Sequence, residues 1–239
     1  MTSILVTGGT GTLGRPTVEH LRAAGHEVRV LSRRSGPGLI TGDLNTGTGI
    51  APAVEGVDTI VHLATGLGRR DVQQARNLLQ ATPPTTPVVV MSIVGIDRIP
   101  LPYYRAKLEV ERLVAESGTP YTILRATQFH DLLDRIFCLK LPVIFAPSIT
   151  LQPIAVEDVA VRLTELAAEP PHNGRVPDIG GPEQRRVPDL ARAWASARGS
   201  RRPVVPLRVP GKTFRAYASG AALVDRPSYG RITFEEHVA

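Results

Sequence analysis

Residues 4–14 read Ile-Leu-Val-Thr-Gly-Gly-Thr-Gly-Thr-Leu-Gly, and the rest of this 239-residue chain can be interpreted outward from them. The three apolar residues predict a buried strand, and a helical pattern begins at the end of the stretch. A strand that enters a helix through a glycine-rich turn places unpaired backbone N–H groups and the positive end of the helix dipole at one point. A pyrophosphate group suits that point, because glycines let the backbone approach phosphates closely.

The glycines at positions 8, 11 and 14 are separated by two residues each. Glycine-rich turns also occur as plain connections between elements, so the spacing alone leaves both interpretations open. The position of this turn, after a strand and at the start of a helix, favours a nucleotide site. A phosphate-binding loop of the Walker A kind is excluded, because no lysine follows the glycines.

The composition is that of a globular protein, with 42% hydrophobic and 21% charged residues. The net charge of +6 comes from dispersed arginines, and only 5% of residues are aromatic, so we expect no nucleic-acid partner. The sequence has no run of 18 apolar residues and no signal peptide, which predicts a cytoplasmic protein that binds no membrane. Cys138 is the single cysteine; it stands in an apolar stretch and is expected to be buried.

Strand and helix patterns alternate over the first half of the chain, which predicts an α/β fold with a doubly wound parallel sheet covered on both faces. A four-residue apolar run bounded by turns at 88–91 is typical of the central strand of such a sheet. The predicted strands are residues 4–6, 27–31, 39–41, 58–63, 88–91 and 121–124, and the predicted helices between them are residues 13–24, 70–81 and 103–117.

The second predicted strand ends in Ser32, Arg33 and Arg34, at a position with a physical meaning in this fold. The chain lies there beside the adenosine ribose of a dinucleotide, where an acid bonds the 2′-hydroxyl and an arginine attracts a 2′-phosphate. Two arginines without an acid predict that NADP(H) is preferred over NAD(H). The alternative is that both arginines are solvated loop residues in an arginine-rich chain.

Two further strand ends carry residues that suit a dinucleotide. At the third, Asp43 could accept from the adenine amino group and Leu44 could pack on the ring, although Asp43 also suits a plain turn. The fourth strand runs into Ala64, Thr65 and Gly66, which are small enough for a cofactor to lie against the backbone. His62 in that strand has no second metal ligand at a suitable spacing, so we expect a packed core residue and no metal site.

The chemistry is expected where the fifth strand ends at Ser92, since ligands lie at the carboxyl ends of such strands. Tyr103 and Lys107 follow at i and i+4 of a predicted helix and therefore share one face. A phenol is a weak acid at neutral pH, because its pKa is about 10, and a nearby ammonium group favours the ionised form. Ser92 could hold the substrate oxygen or the phenol, and Lys107 could also bond the cofactor ribose. The alternative is that Tyr103 and Tyr104 only pack the start of the helix.

These residues resemble the Ser and Tyr-x-x-x-Lys set of the short-chain dehydrogenase/reductase superfamily. The Thr-Gly-x-x-Gly-x-x-Gly start at 7–14, Ser-Ile-Val-Gly-Ile-Asp at 92–97 and Tyr-Tyr-Arg-Ala-Lys at 103–107 are similar to its atypical, NmrA-like branch. Arg-Ala-Thr-Gln-Phe at 125–129 and Pro-Ile-Ala-Val-Glu-Asp-Val at 153–159 are also similar to that branch. The resemblance covers most of the chain.

The resemblance implies roles for individual residues. Tyr103 would donate a proton, Lys107 would assist it electrostatically, and Ser92 would polarise the substrate. The substrate would contact Tyr104, Gln128 and Phe129 beside the nicotinamide. The residues implied to bind the cofactor are Thr7, Gly8, Thr10, Gly11, Thr12, Leu13, Gly14, Ser32, Arg33, Arg34, Asp43, Leu44, Leu63, Ala64, Thr65, Lys107 and Thr127.

Beyond residue 129 the alternation weakens. We expect one Rossmann-type domain over residues 1–239, in which roughly residues 129–155 and 175–239 form a small substrate-binding lobe. Trp194 and Phe234 in this part are expected to be packed in a core.

The predicted function is hydride transfer from NADPH to a carbonyl or quinone-type small molecule, by a monomer or homodimer. One alternative is an NADP(H)-binding redox sensor without chemistry, which needs only the glycine loop and Arg33. A second alternative is a sugar-nucleotide epimerase, which uses the same Ser, Tyr and Lys but for which the C-terminal part is short.

Overall fold

A computed structural model of the chain describes residues 2–66, 68–225 and 228–239, which form two compact units. The first unit extends from the start of the described chain to Ser92 and also contains Pro102–Arg125 and Val159–Pro177. The second contains Ile93–Leu101, Ala126–Asp158 and the described residues from Asp178 onward. In the part of the chain so described, every helix is too short or too polar to cross a membrane.

The elements alternate along the first half of the chain, as the sequence predicts. The strands are β1 (Ser3–Thr7), β2 (Glu27–Ser32), β3 (Leu39–Thr41), β4 (Thr59–His62), β5 (Val88–Ile93), β6 (Tyr121–Ala126), β7 (Ile144–Pro147), β8 (Thr150–Leu151), β9 (Gly174–Arg175), β10 (Arg185–Arg186) and β11 (Val204–Leu207). The helices are α1 (Gly14–Ala23), α2 (Ala51–Val54), α3 (Arg69–Ala81), α4 (Pro102–Glu116), α5 (His130–Phe137), α6 (Val156–Ala168), α7 (Val187–Ala197), α8 (Lys212–Ala218) and α9 (Phe234–Val238).

A parallel sheet organises the first unit. Among the described residues its seven strands follow the order β3-β2-β1-β4-β5-β6-β9. Strand β1 pairs in parallel with β2 on one side and with β4 on the other, so the strand order reverses beside β1. In doubly wound sheets this reversal opens a crevice outside the carboxyl ends of the strands, and ligands bind there. The predicted fold class, an α/β Rossmann-like parallel sheet, is confirmed.

The central strands are apolar on both faces, and this pattern fixes the helices that carry the site. Leu5 of β1, Ile60 of β4 and Val88 of β5 are buried in one core. Leu78 of α3 and Val110 of α4 belong to the same core. Fully burying one such side chain contributes roughly 1.5–3 kcal/mol. Because α1, α3 and α4 each follow a strand of this sheet, their first turns lie at the edge formed by the strands' carboxyl ends.

An ion pair also ties α4 to the sheet. The guanidinium group of Arg125 on β6 donates from Nε to Glu111 Oε1 at 2.8 Å and from Nη2 to Glu111 Oε2 at 2.7 Å. Both residues are buried, and two parallel bonds of this kind fix orientation as well as distance. This contact gives Arg125, which opens one of the motifs of the resemblance, a structural function in holding α4.

The second unit contains two small sheets, in which β8 pairs antiparallel with β10 and β7 pairs parallel with β11. Trp194 and Phe234 are buried there, as predicted, and the Trp194 ring N–H donates to Asp134 Oδ1 at 2.7 Å. The expected burial of Cys138 is wrong, because this residue is exposed. It follows the last residue of α5, where the buried face has already ended with Phe137.

Candidate active site

The glycine loop joins β1 to α1 and is shaped by two close approaches. Gly8 has a φ of +72°, and a Cβ there would lie 2.6 Å from the backbone nitrogen of Ala64. A Cβ on Gly14 would lie 2.6 Å from the Cα of Gly9 and would overlap the carbonyl oxygen of Gly8. Both glycines therefore allow the loop to fold against the end of β4 and the start of α1. Gly11 differs, because a Cβ there would have one near neighbour, the carbonyl oxygen of Gly8 at 3.2 Å.

The loop forms one wall of a cleft of about 780 Å³ in the first unit. Volumes of 300–1,000 Å³ are typical of small-molecule and cofactor sites. The space beside Gly11 is open, and a side chain at this position would fill it. Such open space is expected where the backbone binds a phosphate group. Most residues predicted to bind the cofactor line this cleft, namely Gly8, Thr10, Gly11, Ser32, Arg33, Arg34, Asp43, Leu44, Leu63, Ala64 and Thr65.

Four other residues of the loop region predicted to bind cofactor do not line the cleft: Thr7, Thr12, Leu13 and Gly14. Thr7 is fully buried, accepts from the Ala64 N–H at 3.4 Å, and its Oγ1 shares a hydrogen bond with His62 Nδ1 at 2.8 Å. Leu13 is buried and flanks the start of α1. The geometry gives Thr7, Leu13 and Gly14 the function of holding the loop in shape.

The end of the cleft near β2 and β3 contains a short polar network. Asp43 Oδ1 accepts from the backbone N–H of Asn45 at 2.9 Å and from its Nδ2 at 2.8 Å, so Asp43 stabilises a turn. Gln74 of α3 donates from Nε2 to Asn45 Oδ1 at 3.0 Å. The Oε1 atom of Gln74 is buried and has no hydrogen-bond partner among the described residues. An unpaired buried acceptor beside Asp43 and Leu44 suits an amino group of a bound base.

A second cluster contains Tyr103 and Lys107 and is connected to the cleft through Thr65, which lines it. The Tyr103 hydroxyl lies 3.4 Å from Thr65 Oγ1, and Thr65 donates to Asp71 Oδ2 at 2.9 Å. Asp71 also accepts from the backbone N–H of Gly66 and lies 3.4 Å from Lys107 Nζ. The cluster thus links the first turns of α3 and α4 to the segment after β4, and it brings Tyr103 and Lys107 together with cleft-lining Thr65.

Burial keeps His62 neutral beneath this cluster. Its pKa is lowered from 6.5 to about 3, mainly because the ring is removed from water, and also because Lys107 is positively charged. The negative charge of Asp71 opposes the shift without reversing it. His62 is therefore a packed core residue, as predicted. Across the described ranges no group of three or more His, Cys, Asp and Glu side chains could hold a metal ion.

Ser92 lies near the carboxyl end of β5, and its side chain is 1% exposed. Its hydroxyl is buried and has no hydrogen-bond partner in the described chain. A buried hydroxyl without a partner lowers the stability of the folded protein by about 1–3 kcal/mol, so the presence of Ser92 here needs an explanation. A ligand oxygen or the phenol, the two partners predicted for Ser92, would each satisfy it. Tyr104, predicted to contact substrate, is buried, and its ring centre lies 6.2 Å from that of Tyr103.

Three other predicted site residues belong to the second unit. Thr127 is buried and its hydroxyl donates to the carbonyl oxygen of Gln152. Both polar atoms of the Gln128 amide are buried without a partner in the described residues. Phe129 is partly buried and flanks the start of α5. Their predicted contacts with cofactor and substrate remain predictions.

The family model described as NAD(P)H-binding matches residues 8–170. The chain belongs to the NAD(P)H-binding family. The match begins at the first glycine of the loop and includes the cleft, Ser92, Tyr103 and Lys107. The resemblance to atypical short-chain dehydrogenases/reductases is confirmed, and a nicotinamide dinucleotide is the ligand class that the cleft suits.

Relatives of this family member include two photosystem II assembly factors named Ycf39. The protein from Cyanophora paradoxa is 32% identical over 148 residues, which cover 54% of this chain and 46% of the relative, so the matched part spans about half of each protein. The protein from Trieres chinensis is 24% identical over an alignment of 259 residues, covering 96% of this chain and 81% of the relative. Among solved structures, the NADPH-dependent quinone oxidoreductase QOR2 from Escherichia coli in complex with NADPH has a TM-score of 0.82. It is 18% identical and covers 98% of both chains, which shows a shared fold.

Sequence reasoning missed several residues of the candidate site, and the most important is Asp71, which contacts Thr65 and Lys107. An acid in the first turn of a helix ordinarily complements the helix dipole, so Asp71 gave no separate signal. The position of Asp71 could have indicated the site, because α3 follows the Ala-Thr-Gly segment after β4, which was predicted to lie against the cofactor. The residues that line the cleft and were not predicted are Leu31, Gly42, Asn45, Arg70 and Gln74, whereas Gly66, predicted together with Ala64 and Thr65, also lines it.

Proposed function

We propose that this chain is an NADPH-dependent reductase that transfers a hydride to a carbonyl or quinone-type small molecule. The observation that carries the proposal is the position of the Tyr103 hydroxyl, 3.4 Å from Oγ1 of Thr65, a residue that lines the same cleft as Gly8 and Gly11. A phenol at the edge of a nicotinamide-binding cleft is placed to protonate the oxygen of a reduced carbonyl.

The cleft residues would hold the cofactor from both ends. The glycine loop and the start of α1 would receive the pyrophosphate, with Gly11 at the point of closest approach. Asp43 and Leu44 would receive the adenine, together with the unpaired Gln74 oxygen. Bound NADPH supplies the hydride.

The hydrogen bonds of the cluster orient the proton on Tyr103. A carboxylate only accepts, so Thr65 donates its proton to Asp71, and the Thr65 oxygen is left to accept from the phenol. Tyr103 thus has its O–H ordered before a substrate arrives. With a carbonyl substrate Tyr103 would give this proton to the developing oxyanion, and with a quinone it would stabilise the oxyanion by donating a hydrogen bond.

Lys107 would assist through its charge and its N–H groups. Its side chain is 10% exposed and pairs with Asp71, whose side chain is 1% exposed. Asp71 therefore holds the ammonium group in place while it also fixes Thr65 and Gly66. This makes Asp71 a positioning residue for the proposed reaction.

The preference for NADP(H) over NAD(H) is part of the proposal. Arg33 and Arg34 both line the cleft, directly after the end of β2. Ser32 Oγ accepts from the Arg34 backbone N–H at 3.1 Å and so shapes the turn that carries the two arginines. Two guanidinium groups at this position favour a 2′-phosphate, which an acid would repel.

The test is turnover by wild type, Tyr103→Phe and Tyr104→Phe with NADPH and a panel of aldehydes, ketones and quinones, followed at 340 nm. Tyr103→Phe should lower kcat by about 10²–10⁴-fold with a carbonyl substrate and leave the dissociation constant of NADPH within about twofold. Tyr104→Phe removes a hydroxyl from the neighbouring ring and should keep most of the activity. Unchanged kcat in Tyr103→Phe with an accepted carbonyl would remove Tyr103 from the mechanism.

A second candidate is an NADP(H)-binding protein that performs no chemistry. Similarity to the assembly factor from Trieres chinensis extends over 96% of the chain, and this favours it. In that case NADPH should bind with an affinity that depends on Gly11 and Arg33, while every acceptor in the panel leaves NADPH oxidation at the background rate. Turnover that Tyr103→Phe abolishes would exclude this candidate.

A further inference from the structure

A second cavity, of about 730 Å³, lies wholly within the second unit. Its walls come from the segment between β7 and β8, from β10, from the end of β11 and from α8. The Ser148 N–H donates to the Leu207 carbonyl oxygen at 2.7 Å, and the Val187 N–H donates to the Ile149 carbonyl oxygen at 3.0 Å. These backbone hydrogen bonds connect the segments that form the walls and so fix the shape of the cavity.

Three arginines line this cavity: Arg186, Arg208 and Arg215. In the described chain none of the three has a carboxylate within 4.0 Å. Arg185, the neighbour of Arg186 on β10, provides the contrast, because it pairs with Glu183 at 3.2 Å and with Glu235 at 2.8 Å. Successive residues of a strand point to opposite faces, so the acids compensate one face and leave the cavity face positive.

The sequence around the cavity is also one-sided in charge. Residues 190–224 contain seven basic residues and no acidic residue. Like charges around one space repel each other, and the cavity has no acidic residue in its lining to offset them. A positive cavity with no internal counter-charge is suited to an anion supplied from outside.

The rest of the lining is apolar and includes Ile149, Val209 and Phe214. We propose that this cavity binds an organic phosphate, whose phosphate group is held by Arg186, Arg208 and Arg215 and whose apolar part packs against Phe214. Guanidinium groups bind phosphate and carboxylate oxygens in pairs, and three of them match a dianionic phosphate better than a single carboxylate charge. The Ser148 hydroxyl adds a further donor at the same wall. The proposal does not depend on the reductase function, because the site lies in the other unit.

The test is isothermal titration calorimetry of the full chain, once without NADPH and once with one equivalent of NADPH to fill the cleft of the first unit. Phenyl phosphate should bind with a stoichiometry of one, more tightly than benzoate, and with an affinity that falls as salt is added. Arg208→Gln and Arg215→Gln should each weaken it about tenfold, as expected for losing one charge-assisted contact. Phe214→Leu should weaken the binding of phenyl phosphate but not the binding of inorganic phosphate.

The matched control is Arg201→Gln, which removes an exposed arginine of the same basic segment that does not line the cavity. It should change the affinity for phenyl phosphate by less than about twofold, since distant exposed charges are screened. Thermal unfolding of each variant checks that the second unit is intact. No heat of binding, equal weakening by Arg201→Gln, stronger binding of benzoate, or loss of binding when NADPH fills the first unit would each overturn the proposal. Turnover by the reductase has no influence on any of these outcomes.

Discussion

Replacing Asp71 by alanine tests whether one buried carboxylate holds the candidate active site together. The Asp71 side chain is 1% exposed and accepts from Thr65 and Gly66, and it lies 3.4 Å from Lys107 Nζ. Its loss leaves the ammonium group of Lys107, on a side chain that is 10% exposed, without a partner. Breaking a buried ion pair by removing one partner costs about 3–5 kcal/mol. We expect about 3 kcal/mol, the lower end, because the Lys107 side chain is 10% exposed and so keeps some contact with water.

The assay is urea denaturation followed by circular dichroism, on wild type, Asp71→Ala, Lys107→Met and the double variant. Lys107→Met should cost less than Asp71→Ala, because the carboxylate keeps its bonds to Thr65 and Gly66. The double variant has neither charge, so it should be more stable than the sum of the two single losses implies. Coupling of about 1–3 kcal/mol is expected for residues in such direct contact.

The matched control is Glu109→Ala on α4, the helix that carries Lys107. Glu109 pairs with Arg112 at 3.8 Å, with side chains that are 43% and 64% exposed. An exposed pair of this kind is worth about 0–1 kcal/mol, so the variant should unfold almost as wild type does. If Asp71→Ala is destabilised no more than Glu109→Ala, or if the two cluster substitutions are simply additive, the ion pair does not hold the site and the reasoning fails.

Three further predictions concern the cleft and the residue beneath it. Arg33→Ala should weaken binding of NADPH about tenfold and leave NADH within about twofold, measured by fluorescence titration; equal affinity of wild type for both cofactors would refute the preference. Because the pKa of His62 is lowered from 6.5 to about 3, the unfolded chain takes up a proton at this residue between those pH values and the folded chain does not. Protonation of His62 in the unfolded chain should therefore lower the free energy of unfolding by about 2 kcal/mol from pH 7.5 to pH 5. The His62→Asn variant should lack this part of the loss, as measured by its urea midpoints at the two pH values. Gly14→Ala should abolish cofactor binding and lower the melting temperature, because the new Cβ overlaps the Gly8 carbonyl oxygen; a normal melting temperature would contradict the loop geometry.

The sheet and the glycine loop could be predicted because their signals are local. Apolar runs between turns define β1 and β5, and the glycines between β1 and α1 leave little choice of conformation. Strand β9 is short, since it contains only Gly174–Arg175, and pairing resumes as a single bridge at Ile179. Pro177 lies between them and has no N–H, so it interrupts the ladder.

The polar clusters could not be predicted in the same way, because packing of separate helices creates them. Asp71 is in the first turn of α3 and Lys107 is in α4, and only the shared core beneath these helices brings the two charges together. Gln74 lies on the same helix as Asp71, and its unpaired oxygen becomes meaningful only beside Asn45, which a turn after β3 carries. A sequence pattern predicts the individual helices and strands, whereas these contacts depend on how the helices and strands pack against one another.

The ion pair of Lys107 also bears on the role that the motif implies for it. An ammonium group has three N–H donors, so a contact with Asp71 leaves donors for the hydroxyl groups of a cofactor ribose. The pair is therefore compatible with cofactor binding, and it removes the cost of ordering a long side chain at the moment of binding. Because the same carboxylate orders Thr65, and Thr65 contacts Tyr103, a cofactor would meet a proton donor and a ribose ligand that are already in position. The variant Asp71→Asn removes the charge and keeps a single acceptor oxygen; with that oxygen accepting from Gly66, an NH2 donor faces Thr65, so both Lys107 and the contact between Thr65 and Tyr103 should be disturbed.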